Sequence, residues 1–131
     1  MDKSRFVVGV ALLISLVGCD IQENSILGKG GGPYNMELRV NPRELVVGNN
    51  SNISLRLSYL RTGEPVEDLQ LAHERLLHIF VVDGEFESFA HLHVENRNGY
   101  GSAAGGEFQV SHAFDKAGSY QLVVEFVHRS R

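Results

Sequence analysis

The 131-residue chain has no tryptophan, only three prolines and two methionines, and a single cysteine, Cys19. One cysteine excludes an internal disulfide, so a packed core has to hold whatever fold forms. Two methionines, one of them Met1, exclude a thioether-rich Cu(I) site. The formal charge is −4 and no cluster of lysine and arginine breaks that mild acidity, which argues against nucleic acid as a partner. There is no phosphate loop, dinucleotide fingerprint, nucleophile elbow or HExxH. Nothing here recommends an enzyme. The one long apolar stretch, Phe6 to Val17, is too short for a membrane span, which needs roughly 20 residues.

That stretch instead suits the apolar core of a signal peptide, which runs about 7–15 residues. Lys3 and Arg5 precede it, and it ends in Leu16-Val17-Gly18-Cys19. This ending resembles the bacterial lipobox, where the cysteine is lipidated and the chain is cut before it. Residues 1–18 are therefore expected to be a lipoprotein signal peptide, and Cys19 the lipidated anchor. Each buried CH₂ of an acyl chain adds about 0.8 kcal/mol, so a multiply acylated Cys19 holds the protein at a membrane. The expected location is the bacterial cell envelope, outside the cytoplasm. Asp20 stands where, in enterobacterial lipoproteins, it favours the periplasmic face of the inner membrane. The leader carries Asp2, Lys3 and Arg5, so its loss takes the charge from −4 to −5. Residues 20–33 (DIQENSILGKGGGP) read as a flexible tether without helix or strand, and residues 34–131 as one domain.

Within the domain the pattern is β throughout. Met36, Leu38 and Val40 alternate, Asn41-Pro42 marks a turn, and Leu45-Val46-Val47 reads as a short continuation. Ile53, Leu55, Leu57 and Tyr59 alternate with polar residues, the mark of a half-buried strand. Residues 76–82 (LLHIFVV) are apolar on both faces, as in a central strand. Residues 85–94 alternate again, placing Phe86, Ala90, Leu92 and Val94 on one face. After a glycine-rich loop, further strands are expected near 107–114 and 119–128. About seven short strands with regular turns predict an all-β, immunoglobulin-like β-sandwich. The last strand runs almost to the end of the chain, which leaves a sheet edge to be accounted for.

His73, His78, His91 and His93 are the candidate ligands. On a strand, residues i and i+2 project from one face about 6.6 Å apart, so His91 and His93 can converge on one ion. Whether His78 joins them depends on the hairpin through Asp83-Gly84. A two-residue turn sets His78 opposite Phe89, and a four-residue loop sets it opposite His91. Either register puts it on the His91 face; an odd-length loop does not. Asp-Gly favours the two-residue turn. Against this stands the plain alternative that paired histidines on a polar strand face are only solvated, since HxH alone is a weak metal signal. His112 alternates with Phe108, Val110 and Phe114 and reads as an interior histidine. His128 reads as a tail residue.

The block from Leu71 to Glu95 (LAHERLLHIFVVDGEFESFAHLHVE) resembles a segment of YtkA-like and copper-resistance-type immunoglobulin-like domains of bacterial envelopes. Their pattern runs approximately H-E-K-x-x-H-L, then a hydrophobic strand, then F-x-H-x-H-P. Val94 stands where that pattern has proline. The flanks Thr62–Leu69 and Lys116–Tyr120 fit as well. The resemblance implies a metal site on His73, His78, His91 and His93. A nitrogen-only set suits Cu(II) first and Zn(II) second. Three functions follow as expectations: a lipid-anchored, non-catalytic module holding copper or zinc; a structural or adhesive module without metal, its face covered by an envelope protein partner; and an accessory subunit of a metal-transport or respiratory assembly. Cys19→Ser is expected to release the protein from the membrane fraction; undiminished membrane association on fractionation would remove the anchor reading.

Overall fold

The computed structural model describes residues 3–10, 26–28, 33–42, 45–96, 98–99 and 101–129, with only the backbone described for 3–10, 26–28 and 129. The strands in chain order are β1 (Lys3–Val10), β2 (Ile26–Gly28), β3 (Tyr34–Asn41), β4 (Asn50–Tyr59), β5 (Leu69–Gln70), β6 (Leu77–Asp83), β7 (Phe89–His93), β8 (Glu107–Ala113) and β9 (Tyr120–Arg129). All pair antiparallel. One sheet has the order β1-β9-β6-β7, with β5 also beside β9, and the other the order β2-β3-β4-β8. Seven of the strands lie in the expected domain, and they form the all-β sandwich that the alternation predicts.

Alternation decides which side chains meet between the layers. Tyr34, Met36, Leu38 and Val40 of β3 and Ile53, Leu55 and Leu57 of β4 are buried from one sheet. Leu77, Ile79 and Val81 of β6 and Leu122, Val124 and Phe126 of β9 are buried from the other. Burying one such side chain contributes about 1.5–3 kcal/mol, and no disulfide assists. β6 is central, flanked by β9 and β7, so its outward residues His78, Phe80 and Val82 are also covered or half-covered. That is why residues 76–82 are apolar on both faces.

Three expectations are corrected. Leu45-Val46-Val47 is not a strand: Leu45 is buried, but Val46 and Val47 face outward in a turn. The expected tether contains β2, whose Ile26 pairs with Leu38 and Gly28 with Met36, because the apolar Ile26-Leu27 pair can extend along the edge of β3. Phe86 does not share a face with Ala90 and Leu92. It stands in the turn before β7 with positive φ and is 77% exposed. The rest of the expected signal peptide, residues 1–2 and 11–18, and Cys19 lie outside the described residues; Lys3–Val10 run as β1, paired with Arg129–Leu122 of β9.

The glycine-rich loop before β8 is fixed by polar contacts. Buried Asn96 donates from Nδ2 to the carbonyls of Ala104 (2.8 Å) and Glu107 (2.6 Å), and its Oδ1 accepts from the Asn98 amide. At Gly106, φ is +63° and an added Cβ would meet the Leu57 carbonyl oxygen at 2.3 Å. That carbonyl cannot yield freely, because it accepts the Val66 amide at 3.1 Å. Gly106→Ala is therefore expected to cost about 2–4 kcal/mol of stability, from backbone strain plus a lost hydrogen bond. Urea unfolding of the two proteins checks this; an unchanged midpoint would show that the loop is not packed as described.

Candidate metal centre

The outer face of the β9-β6-β7 sheet carries the site. The pairing across β6 is His78 with His93 of β7 on one side and with Glu125 of β9 on the other. Directly opposed residues share a face, so Glu125, His78 and His93 form a row across the sheet. The next row is Val123, Phe80 and His91. His78, His91 and His93 thus converge, as expected, but through neither of the registers weighed from the sequence. Val82 opposes Phe89, leaving residues 83–88 as a loop. Its even length preserves the face. The Asp-Gly turn does not form because Gly84 lacks the positive φ that a tight hairpin turn demands. Asp83 instead spans the loop, its Oδ1 accepting the amides of Glu87 (2.7 Å) and Ser88 (2.8 Å).

One ring nitrogen from each of His78, His91 and His93 lies within 4.8 Å of the others. His78 is buried, 3% exposed, whereas His91 and His93 are exposed. The His78 Nε2 is 2.8 Å from the Ala72 carbonyl, which can only accept, so Nε2 carries the proton. The lone pair of neutral His78 is then on Nδ1, 2.9 Å from His91 Nε2, which donates to it. A backbone carbonyl holding one nitrogen so that the other faces the site is how metal-ligating histidines are commonly fixed. The His91 ring also stacks on Phe80, with centroids 4.6 Å apart, and stands edge-on to His93 at 4.9 Å. Burial lowers the His91 pKa, and the neighbouring His78 and His93 lower it further; Glu125 opposes them. His91 therefore stays neutral, and able to ligate, to a lower pH than a free imidazole.

The Ala72 carbonyl is positioned by a turn in which both central residues, His73 (φ 49°) and Glu74 (φ 67°), are left-handed. Ala72 and Arg75 exchange both backbone hydrogen bonds, at 2.8 and 3.1 Å. This is the geometry that Asn-Gly supplies without strain, and each non-glycine residue held there costs on the order of 1 kcal/mol. The turn brings the His73 ring to 6.3 Å from that of His78, beside the three-histidine group but not in it. Sequence reasoning missed both this turn, which has no signature in Ala-His-Glu-Arg, and Glu125, the one carboxylate of β9.

Two other groups are not metal sites on this geometry. Asp83, Glu85 and Glu87 surround the Lys116 ammonium, with Glu85 and Glu87 each at 3.0 Å. The Lys116 contact, with the Ser88 and Glu87 amides, brings the Asp83 pKa to about 2. His128 is not a tail residue: it is buried on β9, and its Nε2 lies 2.8 Å from Asp68 Oδ1 and 2.9 Å from the Tyr59 hydroxyl. Burial works against the Asp68 carboxylate, but the hydrogen bonds from Tyr59 and His128 outweigh it and lower its pKa. His112 is half-buried and edge-on to Phe114, the interior place that alternation gives it; burial lowers its pKa.

Glu74→Gly removes one of the two strained residues while leaving His73 and the Ala72 carbonyl in place. It is expected to raise stability by about 1 kcal/mol. A lower melting temperature by calorimetry would show that the turn is not left-handed at Glu74.

No curated protein and no solved structure matches the chain. One protein family does, over residues 30–131, so the match begins after β1 and β2 and takes in every strand that carries the histidines. The chain belongs to that family, a domain of unknown function designated DUF8832.

Proposed function

We propose that this protein is a non-catalytic binding module of the bacterial envelope, anchored through Cys19, that holds one transition-metal ion on His78, His91 and His93. The observation that carries the reading is the His78 arrangement: a buried imidazole, fixed by a main-chain acceptor, that turns its lone pair toward two solvent-facing histidines. Burial and orientation separate this cluster from histidines that are merely solvated. The sequence resemblance to copper-resistance-type envelope domains supports the same conclusion, and the lipobox-like Leu16–Cys19 supports the location.

Copper(II) fits the donors better than zinc. Nitrogen ligands suit both, but Cu(II) heads the affinity order and prefers tetragonal geometry. His78 Nδ1 and His91 Nε2 stand 2.9 Å apart across a hydrogen bond, close enough to be drawn onto one ion. Met36, the one methionine among the described residues, is buried in the core, so no thioether among those residues invites Cu(I) at the cluster. For both nitrogens to ligate, the His91 proton moves from Nε2 to Nδ1, which the exposure of this ring permits. The His73 ring stands 6.3 Å from that of His78, and Glu125 lies opposite His78 on β9.

A specific observation favours the second reading, a face covered by a partner protein: Phe86 and Phe89 are 77% and 66% exposed, and Phe89 stacks on Phe80 beside His91. One experiment separates the two. Calorimetric titration with Cu(II) is expected to give one ion per chain, with affinity falling as pH drops below about 6.5, because protonated imidazoles cannot ligate. The depressed pKa of His91 sets the direction: its share of binding persists below the ordinary histidine range and is lost only in stronger acid. His91→Ala and His93→Ala are expected to weaken binding by more than about 100-fold, beyond what loss of an outer-shell contact costs. His112→Ala should leave it unchanged. Equal binding by all variants, or none by the wild type, removes the metal and leaves the partner surface.

A further inference from the structure

We propose that the outer edge of β9 is a self-association edge, on which a second copy of this chain lays its own β9 once the leader strand is removed. The proposal rests on cleavage at Cys19 and is independent of the metal. In the uncut chain that edge is covered: Lys3–Val10 pair residue by residue with Arg129–Leu122. The cover lies in the expected signal peptide and outside residues 30–131, over which the family matches. With β1 gone, the backbone groups of Leu122–Arg129 that face it lose their strand partner. Other edges among the described residues are short or engaged: β7 has five residues, β2 covers Met36–Leu38 of β3, and β8 is bridged through Glu95 to Gln109. Long, flat, apolar edges are normally blunted by proline, lysine or a bulge. Tyr120–Arg129 contains no proline and no lysine, its one mid-strand charge is Glu125, and it pairs with β6 from Leu77 to Asp83 without interruption.

The sequence of β9 identifies the occupant. In β1, Phe6, Val8 and Val10 stand opposite Phe126, Val124 and Leu122. An antiparallel β9 of a second copy, centred on Val124, sets Leu122, Val124 and Phe126 opposite the same three positions. It therefore offers nearly the same apolar series. In that register Glu125 of each copy opposes Val123 of the other, where β1 sets Val7 opposite Glu125 and Gly9 opposite Val123. Centring on Glu125 would oppose two carboxylates, which repel. The contact is a twofold, self-complementary one, and it joins two sheets into one across the edge.

The test uses residues 20–131, which keep β2 against β3 and contain every core residue from Tyr34 to Phe126. Sedimentation velocity at micromolar concentration is expected to show a dimer. Excess synthetic peptide KSRFVVGV, the β1 sequence, is expected to convert it to a peptide-bound monomer. Val123→Glu sets a carboxylate against Glu125 of the second copy and should weaken the dimer at least tenfold, whereas Val123→Arg, opposite the same carboxylate, should not weaken it. Both positions are half-buried on the outer face, so the core is untouched, and thermal melts confirm folding. A monomer at 100-fold higher concentration overturns the proposal, as does a dimer indifferent to both the peptide and Val123→Glu. Failure of the premise reads differently: mass spectrometry of protein isolated from membranes would find residues 1–18 still attached.

Discussion

The hydrogen bond from His78 Nε2 to the Ala72 carbonyl is the contact on which the site depends. It fixes the tautomer of a buried imidazole, and the tautomer decides which nitrogen faces His91. The cost appears in the backbone: His73 and Glu74 sit left-handed so that the carbonyl lies above β6. Strain of this kind persists only where surrounding structure enforces it. Here the enforcement comes from the paired bonds between Ala72 and Arg75 and from β5, whose Leu69 and Gln70 pair with His128 and Val127 of β9 just before the turn.

His128 matters to this arrangement although it is remote from the histidine cluster. Its contacts with Asp68 and Tyr59 bind three separate segments, β9, the approach to β5, and β4, at one end of the sandwich. The segment that must carry Ala72 over the sheet is therefore anchored on its near side by a polar knot and on its far side by β6. At the opposite end, Lys116 draws Asp83, Glu85 and Glu87 together and ties the loop before β9 to the loop before β7. The two polar clusters bracket the sheet whose outer face bears the histidines.

Much of the fold was legible because apolar alternation is a direct record of which side chains enter the core. β3, β4, β6, β8 and β9 fall where Met36, Ile53, Ile79, Phe108 and Val124 demand them. The face shared by His78, His91 and His93 was legible for a weaker reason, parity alone: a loop of two, four or six residues gives the same face. The register itself was not, since the Asp83 carboxylate replaces the tight turn with side-chain bonds to amides four and five residues on. Phe86 was misplaced for the same cause. The turn at His73-Glu74 was invisible because its conformation opposes the preference of its own residues and is imposed from outside. Glu125 was passed over because its relation to His78 exists only through pairing between strands far apart in sequence.

The same pairing links the site to the edge of its sheet. Glu125 stands in line with His78 and His93 and also belongs to the strand whose outer edge β1 covers. Its place there is opposed by two requirements. An apolar residue would pack better along β9, but a charge there disfavours strands that arrive in a register opposing carboxylate to carboxylate. Toward the histidines, the same charge opposes the desolvation, and after it the repulsion from His78 and His93, that lower the His91 pKa. One carboxylate thus acts in two directions along the sheet, toward β6 and toward whatever strand lies beyond β9.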